Sequence, residues 1–246
     1  MKQEIVKTVT VTGADDSIRP QELIPIAEDF PFVEFGILLS KRRTGSTRFP
    51  SEDWLRELYL VWYERKSQGK AFRLSGHLCG SWVRKLCQGE SDFFDEFGYT
   101  WAMFDRFQLN FHREPHRIDE KKFSSILRQH LPDKQIIFQM DGNSNNEAIF
   151  YEMESRSGFT ALPLFDASGG AGVLPKRWPE YIGYAGYAGG LSPDNVGEEL
   201  EKISKVARGH IWIDTETRVR SNHDATFDLQ KVSQFLEVSR PWVITL

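Results

Sequence analysis

Cysteine is nearly absent from this chain: among 246 residues only Cys79 and Cys87 occur. Two thiols make neither a disulfide framework nor a four-ligand zinc set, and point to a reducing cytoplasm. Long apolar runs are missing too. No segment approaches the about 20 consecutive apolar residues that cross a bilayer, and Met1–Glu4 leads into a short alternating strand instead of an apolar signal region. A membrane partner is therefore not expected. Nor is there an excess of positive charge, since Lys and Arg number 31 against 35 Asp and Glu, for a formal net charge of −4. Without a global basic field, nucleic acid is not an expected partner either. The aromatic share of 13%, with Trp54, Trp62, Trp82 and Trp101 in it, then reads as packing or as an association surface, leaving a homo-oligomer open. Low-complexity linkers and sequence repeats are absent as well, which excludes a solenoid.

What is present is an alternation of strand and helix signals. The β segments are Ile5–Thr12, Phe32–Leu39, Ala71–Leu78, Arg106–Phe111, Gln135–Met140, Ala161–Phe165, a run from Tyr184, and His210–Asp214. Helical patterns follow at Pro20–Asp29, Glu52–Gln68 with Ser51 as its N-cap, Gly80–Gln88, Asp119–His130, Asn145–Ser157, a short turn at Pro175–Tyr181, Ser192–Arg208 and Asp228–Val238. Ser91–Tyr99 has no clear assignment. Parallel strands require crossovers of this kind, and eight such units in one chain favour closure over an open doubly wound sheet. The expected fold is α/β: one (β/α)8 TIM barrel domain over residues 1–246, a length usual for that barrel.

Two strand-to-helix junctions stand out. Ala161–Phe165 delivers Asp166 into Ala167-Ser168-Gly169-Gly170-Ala171-Gly172, and Tyr184–Ala188 leads into Gly189-Gly190-Leu191 and Ser192-Pro193-Asp194-Asn195-Val196, where Ser192 can cap a helix starting at Pro193. Glycines here let backbone approach a ligand, and the exposed amides suit a phosphate. These residues resemble phosphoribosylanthranilate isomerase, a barrel enzyme of tryptophan biosynthesis. The resemblance implies that Asp166 is the general acid, that the second glycine turn, with Gly189 and Gly190, grips the substrate phosphate, and that Arg48 in Gly45-Ser46-Thr47-Arg48-Phe49 helps to hold the anthranilate group; with Gly170 and Gly172 of the first turn, these glycines form the expected anion cradle. It departs at strand one, where Thr10-Val11-Thr12-Gly13 replaces a Lys-x-Cys-Gly stretch and a catalytic Cys is lost. A threonine hydroxyl is far too weak an acid to serve as that base. Asn110 in Phe107-Gln108-Leu109-Asn110 replaces a His, and Ile213-Asp214-Thr215-Glu216 places a carboxylate near where phosphate would be gripped, which would repel it unless Arg218 or Arg220 pairs with Glu216.

In a barrel, chemistry sits at the C-terminal strand ends. The polar residues there are Thr12, Asp15, Asp16, Arg42, Arg43, Arg48, His77, Cys79, Asn110, His112, Asp141, Asp166, Asp214 and Thr215. Asp166 follows a buried strand, which favours partial desolvation and an acid role, although such an Asp also caps turns. Asp15 and Cys79 are the candidates for the missing base, and Arg48, Asn110 and Asp214 for substrate binding. The expected activity is acid–base isomerisation of a small anionic, sugar-derived metabolite without cofactor or metal. A barrel that binds such a metabolite without converting it is the alternative, as is a metal-dependent hydrolase or aldolase using His77, Cys79 and His112. Asp141-Gly142-Asn143-Ser144-Asn145-Asn146 has calcium-loop spacing but lacks the required glycine, and reads as a turn.

Overall fold

The computed structural model describes residues 3–92, 94–95, 98–111, 119–155 and 160–245. Eight parallel strands form a closed barrel: β1 Val6–Thr12, β2 Val33–Leu39, β3 Arg73–Cys79, β4 Arg106–Asn110, β5 Gln135–Met140, β6 Thr160–Phe165, β7 Ala185–Ala188 and β8 Ile211–Thr215. Closure is made by β8 pairing with β1, with Val9 beside Ile213. The described α-helices are α1 Leu23–Asp29, α2 Glu52–Ser67, α3 Ser81–Gln88, α4 Glu120–His130, α5 Ser144–Glu154, α6 Val196–Val206 and α7 Leu229–Ser239. In α2 the Ser51 hydroxyl accepts from Trp54 N, acids fill the first turn, and Arg65 and Lys66 lie in the last, as the helix dipole favours. The expected (β/α)8 fold is thus observed, and no described helix is long and apolar enough to cross a membrane.

Two expectations about the glycine junctions are corrected. Pro175 to Tyr181 is not helical, because two prolines and the left-handed Gly169, Gly170, Gly172 and Gly183 keep the chain from Asp166 to Tyr184 irregular. Trp178 anchors this loop, its indole N–H donating to Glu199 at 2.7 Å. Helix α6 begins at Val196 and not at Pro193. Ser192 N donates to Asn195 Oδ1 at 2.8 Å, which folds residues 192–195 into a turn and leaves Asn195 at the N-cap. Asp141 does form a turn, accepting from Asn143 N and Asn146 Nδ2 at the entry to α5. The end of the helix expected to reach Ser157, and most of Ser91–Tyr99, lie outside the described residues or in irregular chain.

Strand alternation sends successive side chains to opposite faces. The outward faces pack against the helices in one large core that includes Trp54, Trp62, Trp82 and Trp101. The inward faces divide. Ile137, Leu162, Leu164, Ala188 and Trp212 pack together on the β5–β8 side, whereas the β1–β4 side buries Thr10, Thr12, Glu34, Ser75, His77, Arg106, Gln108 and Asn110. At the lower end Arg106 Nε and Nη2 clasp Glu34 at 2.8 and 2.7 Å, Thr10 donates to Glu34, and the guanidinium stacks 4.6 Å from the Trp212 ring centroid.

Candidate functional site

Above this plug a cavity of about 410 Å³ opens at the C-terminal strand ends. Arg48, Cys79, Asn110, Asp166, Gly170, Gly172, Gly189, Gly190 and Asp214 all line it, so both late glycine turns do open onto one rim. Asp15 does not. Its carboxylate accepts from Arg220 Nη2 at 2.7 Å, Arg48 N at 2.6 Å and the Ser17 hydroxyl at 2.5 Å, beneath the loops. That position removes Asp15 from reach of a molecule in the cavity. The basic loop after β2 does fold over the mouth. Arg43 is placed there by its guanidinium, 4.1 Å from the Phe49 ring centroid.

Arg48 is held differently from the carboxylate clamp that the resemblance implies. Its Nε donates to Asp224 at 2.5 Å, Nη1 to Glu216, and Nη2 to Thr217 at 3.2 Å. The ion pair with Asp224 joins two non-glycine residues in left-handed backbone, at φ 73° and 75°, strain that surrounding contacts must hold in place. Arg48, and not Arg218 or Arg220, therefore forms the ion pair with Glu216, while the Arg220 charge acts on it more weakly. Arg218 makes no ion pair among the described residues, and lines an adjoining groove of about 530 Å³ with Gly190, Ser192, Asn195 and Lys231.

Asp166 is built into its own loop. Oδ1 accepts from the Ser168 amide and hydroxyl, and Oδ2 from Gln139 Nε2 at 2.9 Å and Gly170 N at 2.8 Å. Four donors make this carboxylate the organiser of the glycine turn. The cradle amides of the first glycine turn are likewise engaged inside the chain, Gly170 N on Asp166 and Gly172 N on the Ser168 hydroxyl. Gly190, at φ +69°, has its own reason to be glycine, because a Cβ there would lie 2.5 Å from Leu174 N.

Asp214 has the opposite surroundings. Its Oδ1 accepts from Thr12 Oγ1 at 2.7 Å, and Oδ2 makes no hydrogen bond among the described residues. Burial pushes this carboxyl well above the usual range; Glu216 and Glu34 add to the rise, against the Thr12 hydrogen bond and Arg106. Burial also raises Glu216, opposed chiefly by Arg48. His77 turns Nε2 to the Ser75 hydroxyl at 2.8 Å, and burial, with the Arg106 charge, pulls its imidazole down to about 3. The Cys79 thiol is pushed up to about 12 by burial, although Asn110 Nδ2 donates to it at 3.2 Å. A thiol at that value is almost wholly protonated at neutral pH and is a poor base or nucleophile.

No group of three potential metal-ligating side chains occurs among the described residues; His112 and His116 lie outside them. Gln139, Glu216 and Asp224 were not singled out from the sequence as substrate ligands. A signal existed for Gln139: a polar residue among the apolar Ile136, Ile137, Phe138 and Met140 of β5, on the face shared with the interior Ile137.

The fold and this mouth define a (β/α)8 barrel with a buried, acid-lined cavity at its C-terminal face. No family model matches the chain, and no curated protein matches it significantly. Among solved structures it is similar to monomers generated from the dimeric phosphoribosylanthranilate isomerase of Thermotoga maritima, at 17% identity over 95% of this chain and 98% of that one, with a TM-score of 0.53. A GH113 β-1,4-mannanase aligns at 12% identity over 97% and 99%, with a TM-score of 0.44. The first likeness shows a shared barrel fold at a distance.

Proposed function

We propose that this barrel is a proton-transfer enzyme of the isomerase type, acting on a small phosphorylated or carboxylated sugar-derived substrate. The observation that carries the reading is the pair of carboxyls on β8 and its extension. Asp214 is buried without a salt bridge and has one oxygen that makes no hydrogen bond among the described residues, while Glu216, two positions on, is bound to Arg48. Two carboxyls in such different surroundings divide the work of acid and base. Asp214 donates its proton to a ring or carbonyl oxygen, and Glu216, paired with Arg48, removes a proton from the neighbouring carbon. One proton enters and one leaves, so the rearrangement balances. Asp166, the acid of the resemblance, instead holds the glycine loop that closes one wall. The anionic end of the substrate lies toward Arg43 and Arg218, the cations at the rim.

The test is turnover of phosphoribosylanthranilate and of a panel of aldose phosphates by wild type, Asp214→Asn and Glu216→Gln. Activity in the wild type that falls in both variants supports the reading. Thr12, standing where the resemblance has its catalytic Cys, favours the second reading, a barrel that binds such a metabolite unchanged. Binding without turnover across the whole panel would leave only that one.

A further inference from the structure

The cavity wall at β5 carries a buried group that the proposed chemistry leaves unused. Gln139 is 3% exposed and lines the cavity. Its Nε2 donates to Asp166 Oδ2 at 2.9 Å, and its Oε1 is buried without a hydrogen-bond partner among the described residues. The amide cannot be turned over to cure this, because its carbonyl would then face the Asp166 carboxylate. A carbonyl left in that state is unfavourable unless something donates to it.

The neighbouring amides point their donors the same way, into protein. Gln108 Nε2 donates to Asn110 Oδ1 at 2.8 Å, and Asn110 Nδ2 donates to Cys79 Sγ at 3.2 Å. One N–H of each of Gln108, Asn110 and Gln139 is thus committed within the protein, and at β5 a ligand meets the Gln139 carbonyl beside Asp166. An anion would be repelled there by the Gln139 carbonyl and by Asp166 beside it. A hydroxyl group would be bound.

We infer that Gln139 Oε1 accepts a hydrogen bond from a hydroxyl of the substrate, so that the β5 wall is a hydroxyl-reading subsite and the substrate's anionic end points away from it. The inference rests on the reading of this cavity as the substrate site and deepens it, naming which end of the molecule goes where. A site built around a buried acceptor rejects an analogue that lacks the donor, since the acceptor is then desolvated for nothing in return.

The experiment measures binding by calorimetry, with D-ribose 5-phosphate and its 1-deoxy, 2-deoxy and 3-deoxy forms as probes. Wild type is compared with Gln139→Met, which keeps the bulk and removes the acceptor, and with Ser168→Ala, which loosens the same loop but leaves Gln139 in place. One deoxy sugar is expected to bind wild type about tenfold or more weakly than the parent. That ratio should collapse toward parity in Gln139→Met and persist in Ser168→Ala. The inference is overturned if wild type binds none of the four, if it binds all four alike, or if Gln139→Met discriminates as wild type does. Because the readout is binding, a wild type that discriminates but turns nothing over separates failure of the catalytic reading from failure of this subsite.

Discussion

Thr12 and Asp214, 202 positions apart in sequence, meet inside the barrel in a 2.7 Å hydrogen bond. The hydroxyl donates, the carboxylate accepts, and the pair joins the first strand to the last. Strand one thereby contributes to the site without supplying a base. Its threonine moderates the one carboxyl that burial pushes furthest from its ordinary behaviour.

Asp214→Asn should separate function from stability. A carboxyl whose folded pKa is raised keeps its proton where the unfolded chain has lost it, so stability falls as pH rises from the ordinary value of 3.8 through the raised one. The variant escapes that loss. Its melting temperature is expected to match or exceed wild type at pH 7, with the advantage gone below about pH 3.8, while turnover falls by about 100-fold or more. Thermal melts across pH, set beside rates, check both; a variant less stable than wild type at pH 7 would contradict the assigned environment.

Acid should weaken the fold through His77. Its imidazole moves down from 6.5 to about 3 on folding, so the unfolded chain binds the proton first. Stability is full above pH 6.5 and is lost as pH falls toward 3. His77→Gln, which can still bond Ser75, should flatten that decline. Urea unfolding at pH 7 and near pH 4.5 gives the comparison, and equal slopes for the two proteins would refute it.

The Glu34–Arg106 clasp predicts non-additivity. Both side chains are 4% exposed, so Arg106→Met alone strands a buried carboxylate and should destabilise by about 3–5 kcal/mol. Glu34→Met added to it should recover most of that loss, since an apolar pair of similar volume removes both desolvation terms. Chemical denaturation of the two singles and the double reports the coupling. Additive losses would mean that the clasp does not act as a unit.

Asp166→Ala should release the loop from Asp166 to Tyr184, because the four hydrogen bonds at its start disappear together. Trypsin cleavage at Lys176 and Arg177 is expected to accelerate while the melting temperature changes little, as local opening would require. If the loop stays as resistant as in wild type, Asp166 is not its organiser, and an acid role regains ground.

Much of this architecture was legible in the chain. Alternating β-branched strands and amphipathic helices with Ser51 at one N-cap dictate the element order, and parallel strands need those crossovers whatever the partner sequence. The same pattern assigns strand ends to one face, which is why Asp166, Asp214, Asn110, Cys79 and the two late glycine turns meet at one cavity. The signals failed where local chemistry was ambiguous. Ser192-Pro193 has the form of a helix start, yet the Asn195 side chain closes a turn first, and Gly189 and Gly190 also accommodate the crossing backbone at Val173 and Leu174.

Sequence alone determined the barrel and the roster of polar groups at its mouth, because those follow from periodicities of two and 3.6 residues that act locally. Which carboxyl is free and which is tied was decided only by tertiary contact. Asp166 carries four donors and Asp214 one, Glu216 takes its cation from Arg48, 168 positions away, and Gln139 is left with an unmatched carbonyl. Burial and hydrogen-bond partners set how a titratable group behaves, and both are properties of neighbours in space, which no spacing along the chain encodes.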